Sequence, residues 1–219
     1  MAQHQHSFIP AAGRDWLLPL YDPFNWLLGG DAIRKQLVEQ GSIEPGCRVL
    51  DIGCGTGALT ILLKQLHPDT DVVGLDPDPK ALEIARRKAN RAGLSIEFVA
   101  GFGNRLDYAD ASFDRVFSSL MLHHLDHDAK LATLREVKRV LKPAGSLHLL
   151  DFGPPRSVLA RAMGPLLHNA GHVKDNVEGR IPSFMTEAGL ELAGEVAHRN
   201  TLVGSMAYYR AFAGAGRSL

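Results

Sequence analysis

The sequence predicts a doubly wound α/β fold: a seven-stranded mostly parallel sheet with an antiparallel terminal strand. Three observations carry this. Short apolar runs alternate with amphipathic helical stretches from residue 48 to residue 150, a glycine-rich turn follows the first run, and two further strand-like stretches lie near the end. Parallel strands need crossover connections, and helical crossovers cover both faces of the sheet.

The 219 residues suffice for one substantial core. Residues 1–44 are expected to form a helical cap with a flexible tail, and residues 45–219 the main domain, with 153–180 a candidate substrate-cap insertion. Within 16–40, Leu27, Leu28, Ile33, Leu37 and Val38 mark one apolar helical side. The turn Ile43-Glu44-Pro45-Gly46 leads into strand one at 48–52, followed by a helix over 57–65 that ends at His67-Pro68. Strand two is expected at 71–75, a helix closed by Gly93 at 79–92, strand three at 96–100 and strand four at 113–118. The helix over 128–141 buries Leu131, Leu134, Val137, Val140 and Leu141, and Pro143 with Gly145 stops it before strand five at 146–150. Beyond lie a helical stretch at 156–171 containing Gly164-Pro165, a short helix at 181–188, and strands at 190–198 and 202–212 that pair at the far edge of the sheet.

Acidic and basic side chains number 24 each, which disfavours the broad electrostatic footprint a nucleic-acid partner requires. No apolar run reads as a transmembrane span, and MAQHQHSFIPAAGRD lacks the basic start and apolar centre of a secretory signal. A cytoplasmic monomer or homodimer is the expectation. Val158, Leu159, Met163, Leu166 and Leu167 leave room for peripheral membrane contact, though without a basic anchoring face. Cys47 and Cys54 supply neither a disulfide framework nor a metal cluster. His168, His172 and Asp175 read as loop or pocket lining, and no metal site is expected.

The decisive local feature is Val49-Leu50-Asp51-Ile52-Gly53-Cys54-Gly55-Thr56-Gly57. Glycines directly after a strand let the backbone turn tightly and approach a ligand, and the following helix presents free N–H groups. Alone, Gly53-x-Gly55-x-x-Ala58 also fits a dinucleotide site. Asp51 argues against a pyrophosphate, because like charges repel in a partly desolvated crevice. It suits instead the ammonium group of S-adenosylmethionine, which carries no phosphate. Thr56 offers a polar contact or, more simply, a helix cap. Asp76, at the end of the second strand in Val72-Val73-Gly74-Leu75-Asp76-Pro77-Asp78, can accept hydrogen bonds from both ribose hydroxyls.

With these residues the sequence resembles the Class I S-adenosylmethionine-dependent methyltransferases over roughly residues 45–152, and its small-molecule branch of quinone and sterol enzymes. Ser112-Phe113-Asp114-Arg115-Val116 and Leu141-Lys142-Pro143-Ala144-Gly145 strengthen the likeness. The resemblance implies a Rossmann-like fold with S-adenosyl-L-methionine bound by Asp51, Gly53, Cys54, Gly55, Thr56, Gly57, Asp76, Pro77 and Ser118. Relatives often follow strand three with an Asp and a small residue that meet adenine; here Gly101-Phe102-Gly103-Asn104 stands there. Phe102 is a candidate for stacking on adenine, Gly103 for backbone contacts and Asn104 for its amino edge.

Beyond strand four, Ser118-Ser119-Leu120-Met121-Leu122-His123-His124 approaches the acceptor side. His123 and His124 are the candidate catalytic residues, either of them able to orient an acceptor or take its proton near neutral pH; packing in a loop explains each equally simply. Met121 reads as core filling. Phe8, Trp16, Tyr21, Phe24 and Trp26 suit an apolar or aromatic small molecule, or a core. The expected reaction is methyl transfer to O, N or activated C of a small substrate. The alternatives are a nicotinamide-dependent oxidoreductase and a noncatalytic cofactor-binding protein.

Overall fold

The computed structural model describes residues 30–156, 172–201 and 204–214. The elements are α1 (Gly30–Glu39), β1 (Arg48–Ile52), α2 (Ala58–Leu66), β2 (Asp71–Asp76), α3 (Pro79–Arg91), β3 (Glu97–Ala100) and β4 (Phe113–Ser119). A 3-10 turn (Leu122–His124) leads to α4 (His127–Val140), β5 (Leu141–Phe152), α5 (Lys174–Val177), α6 (Ile181–Glu187), β6 (Glu191–Thr201) and β7 (Gly204–Phe212). The strands form one sheet in the order β3-β2-β1-β4-β5-β7-β6. β1 to β5 pair in parallel, and β7 enters antiparallel between β5 and β6. This is the architecture the sequence predicts, with the late strands pairing at the far edge.

Alternation along the strands divides the core by face. Leu50, Ile52, Val73, Leu75, Val116, Leu147 and Leu149 pack with Leu131, Leu134 and Val137 of α4 and Ile181, Phe184 and Met185 of α6. Val49, Val72, Phe117 and Leu150 point the other way, against Ile33, Leu37 and Val38 of α1 and Leu59 and Leu63 of α2. Leu82, Ala85 and Ala89 of α3 close over Phe98 and Cys54.

Local differences have local causes. Leu141 turns extended directly after α4 (φ −70°, ψ 135°) and pairs with Phe113, so β5 begins at the residue where the helix ends. Pro143 disfavours helical backbone at Lys142, the residue before it, so the helix cannot run on past Leu141. The N-cap position of α2 falls at Gly57, in the left-handed region at φ 78° with no side-chain cap bond, rather than at Thr56. Instead its carbonyl accepts a hydrogen bond from Lys88 Nζ at 2.9 Å. The short helix α5 has no apolar repeat that would mark it in sequence. The apolar stretch Val158 to Leu167, Leu27, Leu28 and the N-terminal aromatics lie outside the described residues.

Two segments that carried the resemblance do structural work away from the crevice. Asp114 Oδ2 accepts from Arg48 N–H at 2.9 Å and from Lys142 Nζ at 2.8 Å, tying together the starts of β1, β4 and β5.

Candidate functional site

β1 lies between β2 and β4, so the chain leaves it in one direction and returns on the other side, opening a crevice at the carboxyl ends of the strands. A cavity of about 330 Å³ occupies that position. Its wall includes Asp51, Gly53, Cys54, Gly55, Thr56, Asp76, Pro77, Phe102, Gly103, Asn104 and His124, all named from sequence. Gly57, Ser118 and His123 stand behind the wall. Gly57 packs on Ala85 and Phe98. Ser118 is buried with its hydroxyl donating to the Ile52 carbonyl at 3.0 Å, and Ser119 faces the cavity in its place.

The glycine turn is held from below. Gly53 and Cys54 N–H groups donate to the Leu75 carbonyl at 2.8 and 3.1 Å, which joins the turn to the end of β2. Gly53 has φ 73°, and a Cβ there would fall 2.2 Å from Met121 Cγ, so Met121 closes directly onto the turn. Gly55 differs: its φ is 52°, yet a Cβ would meet nothing within 4 Å, leaving its backbone open beside the cavity.

Asp76 accepts the Gly55 N–H on Oδ2 at 2.8 Å and the Asp78 N–H on Oδ1 at 2.9 Å. Burial raises its pKa above the ordinary carboxylate value, against the lowering effect of those two donors. Asp78 caps α3 through Oδ1 and Lys80 N–H, while its Oδ2 is buried without a hydrogen-bond partner among the described residues. Asp51, only 1% exposed, accepts from the Thr60 hydroxyl at 2.6 Å. Burial pushes its pKa up to about 7; the Thr60 bond opposes this, the Asp76 charge adds to it, and the Arg34 charge again opposes it.

On the far side the chain leaves β4 through Leu120, a non-glycine residue at φ 57°, fixed by its N–H to the Leu150 carbonyl at 2.8 Å. Left-handed backbone at such a residue costs about 1–3 kcal/mol and is commonly found at functional sites. His123 and His124 follow, with ring centroids 4.0 Å apart. His123 Nδ1 is 2.8 Å from Asp151 Oδ1, and its N–H donates to Asp151 Oδ2 at 3.2 Å. Asp151 is wholly buried at the end of β5. Burial works to raise its pKa, but the His123 ring and the backbone donors of Phe152 and His123 outweigh it and hold the carboxyl below its ordinary value. Burial, reinforced by the neighbouring His123, brings the His124 imidazole down to about 4, so it is neutral at pH 7.

Several participants were not singled out in sequence. Asp151 had a signal, since it is an acid at a strand end, as Asp51 and Asp76 are. Thr60 and Thr133 had none. Thr133 lines the cavity with its hydroxyl buried and unpartnered among the described residues. Lys130 is fully buried, donating to the His172 carbonyl at 2.6 Å and to Asp175 Oδ2 at 3.2 Å. Asp175 also faces Arg180 at 3.1 Å. Among the described residues no group of three or more His, Cys, Asp or Glu could hold a metal ion, and His168 lies outside them.

A family model described as a methyltransferase domain matches residues 49–145. The demethylmenaquinone methyltransferase of Deinococcus radiodurans is 40% identical over 151 residues, covering 67% of this chain and 61% of that protein. This chain thus spans about three-fifths of the length of that relative. The ubiquinone/menaquinone biosynthesis C-methyltransferase UbiE of Pseudomonas fluorescens is 30% identical over 217 residues, covering 87% of this chain and 83% of that protein. In fold, a SAM-dependent methyltransferase from Aquifex aeolicus superposes with a TM-score of 0.62 at 22% identity, over 81% of this chain and 88% of that one. With the Asp51–glycine turn and Asp76 at adjacent strand ends, the chain belongs to the Class I S-adenosylmethionine-dependent methyltransferase family and is related within it to the quinone methyltransferases.

Proposed function

We propose that the protein transfers a methyl group from S-adenosylmethionine to an activated ring carbon of a small, apolar aromatic acceptor of the quinol type. The observation that carries the reading is the pairing of two buried carboxylates, Asp51 and Asp76, at adjacent strand ends beside an open glycine turn. The names of the quinone-methylating relatives support the acceptor class.

The cavity fits the family's cofactor. The open space beside Gly55 admits a ligand against bare backbone, Asp76 has acceptor capacity left for a diol, and Asp51 suits an ammonium group. Four aspartates (Asp51, Asp76, Asp78 and Asp126) line the cavity against one Arg, a balance hostile to a dinucleotide's phosphates. Phe102, 40% exposed, offers a face for adenine beside the backbone of Gly103. Bound there, the cofactor supplies an electrophilic methyl group on a sulfonium.

The chain's own contribution is placement. Leu120, Met121 and Leu125 provide an apolar wall next to His124, suited to an aromatic ring held in line. Neutral His124 can orient the acceptor's hydroxyl by a hydrogen bond, and His123, fixed by Asp151, positions it from behind. Of the substrate cap expected over 153–180, the described residues support the reading with His172 on the cavity wall and the Lys130–Asp175 anchor. From the N-terminal region α1 adds to the cap, bringing Arg34 to the same wall. The reading is of a cytoplasmic enzyme, monomeric or homodimeric. Among the described residues no helix is long and apolar enough to cross a membrane.

The test is incubation with methyl-labelled cofactor and a panel of short-chain quinols, phenols and amines. Expected are a carbon-methylated quinol and one S-adenosylhomocysteine per methyl; cofactor binding with no transfer across the panel would defeat the proposal. Asp151→Asn should lower kcat by ~10- to 100-fold with the cofactor KM within about twofold. A parallel loss in cofactor affinity would instead assign Asp151 to the fold of the site.

Proton linkage offers a second check. Asp51 titrates near 7 in the folded protein, above its ordinary value of 3.8. Between those two values the folded state holds a proton the unfolded chain has lost, so this group's contribution to stability falls as pH rises from about 4 to about 7. A ligand ammonium favours the ionised form, so binding should tighten with rising pH up to about 7. Calorimetry with S-adenosylhomocysteine in buffers of different ionisation enthalpy should show about one proton released at pH 6 and roughly a quarter of that at pH 7.5. Persistence of the release in Asp51→Asn would exclude Asp51 as its source.

A further inference from the structure

We propose that His172 binds the second hydroxyl of a hydroquinone acceptor, His124 taking the first, and that the buried Lys130 is the positioning residue that holds His172 in place. The inference rests on the acceptor reading above and deepens it.

His172 and His124 share the cavity wall, near enough that the charge His172 can carry bears on the His124 imidazole. They reach it from separate parts of the chain, His124 from the turn after β4 and His172 from just before α5. Leu120, Met121 and Leu125 make the wall beside His124 apolar. That surface and one imidazole satisfy a ring with a single hydroxyl, so the second imidazole has a use only for an acceptor with two. A neutral imidazole both donates and accepts, and each can meet one phenolic hydroxyl. Simple lining is the plainer account of a half-buried histidine; the way His172 is anchored argues against it.

Lys130 is fully buried, in a helix whose Leu131, Leu134 and Val137 belong to the core. Its ammonium donates to the His172 carbonyl at 2.6 Å and to Asp175 Oδ2 at 3.2 Å. Asp175 Oδ1 in turn accepts from Arg180 at 3.1 Å, and His127 Nδ1 lies 4.0 Å from Oδ2. An apolar side chain would fill position 130 without desolvating a charge, so stability alone does not account for an ion pair there. What the pair supplies is direction: three N–H donors on a buried ammonium set where the chain stands at residues 172 and 175. Asp126, the N-cap of α4, and Ala129 and Thr133 within that helix line the cavity. Lys130 therefore ties His172 to an element that already forms part of the same wall.

The experiment compares methyl transfer to a short-chain hydroquinone and to each of its two monomethyl ethers, using the full chain. Calorimetry with S-adenosylhomocysteine on the same proteins reads the cofactor end separately. Wild-type protein should prefer the hydroquinone over the better ether by about 10-fold in kcat/KM. His172→Ala should bring that ratio to about one, and His172→Asn, which keeps a donor and an acceptor, should recover part of it. Both should bind S-adenosylhomocysteine within about twofold of wild type. Lys130→Met should lose the preference and lower the melting temperature. The double variant Lys130→Met/Asp175→Leu, which strands no charge, should regain the melting temperature but not the preference. A preference absent from the wild type, or kept in His172→Ala, overturns the inference and leaves methyl transfer standing. So does an equal loss of S-adenosylhomocysteine affinity in His172→Ala, which marks a structural role. A preference restored in the double variant overturns the positioning role of Lys130. A wild type that methylates none of the three compounds overturns both this inference and the acceptor reading.

Discussion

Asp76→Ala is expected to weaken S-adenosylhomocysteine binding by about 100- to 1000-fold and to lower the melting temperature of the free protein by roughly 5–10 °C. The binding loss is that of a carboxylate accepting from two hydroxyls, each charge-assisted bond contributing about 1.5–3 kcal/mol. The stability loss has a separate origin. The Gly55 and Asp78 N–H groups both end on this carboxylate, and alanine strands them at about 1–3 kcal/mol each. Asp78 caps α3, so the loss spreads to that helix. Asp76→Asn keeps one acceptor oxygen and should recover part of the melting temperature while remaining a poor binder. Calorimetry and thermal melts read the two effects apart. Affinity within threefold of wild type in Asp76→Ala would remove Asp76 from the ribose.

Gly57→Val should cost the fold about 3–5 kcal/mol, seen as a lower urea midpoint with little soluble native protein at 37 °C. Gly57 has φ 78°, and a Cβ there lies 2.8 Å from Ala85 Cβ and 3.3 Å from the Phe98 ring. The branched side chain adds left-handed strain to a clash between α2 and α3, both rigidly packed. Gly55→Val makes the contrast, because no atom lies within 4 Å of its Cβ position. That variant should pay mainly the left-handed strain, about 1–2 kcal/mol, and stay folded while losing cofactor affinity. Equal stability of the two variants would contradict the packing role assigned to Gly57.

What could be read from sequence followed short-range pattern. Apolar alternation located β1 to β5, because a strand buried on both faces has little freedom in composition. Asp51 and Asp76 were legible because each ends an apolar run beside glycine or proline. Residues whose role depends on tertiary approach were not. Arg34 reads as an ordinary exposed helix residue until α1 is laid beside β1. Lys130 lies one position before the apolar Leu131 of α4, and only the return of residues 172–175 buries it. Ser118 and Ser119 show the finest limit: side chains alternate along a strand, so a shift of one residue exchanges the cavity face for the buried one. His123 and His124 divide in the same way, one turned to Asp151 and the other to the cavity.

The bond from Tyr208 to Ile33 joins groups 175 residues apart. During synthesis the glycine turn, Asp51 and Asp76 are complete long before β7 leaves the ribosome. The helix carrying Arg34 then still lacks Met206 and Tyr208, two of the buried side chains it packs against. Contacts this distant in sequence form late, after the loop-closure cost has been met. The half-made protein therefore carries a finished floor for the ligand and an unfinished wall, and β7 completes the pocket.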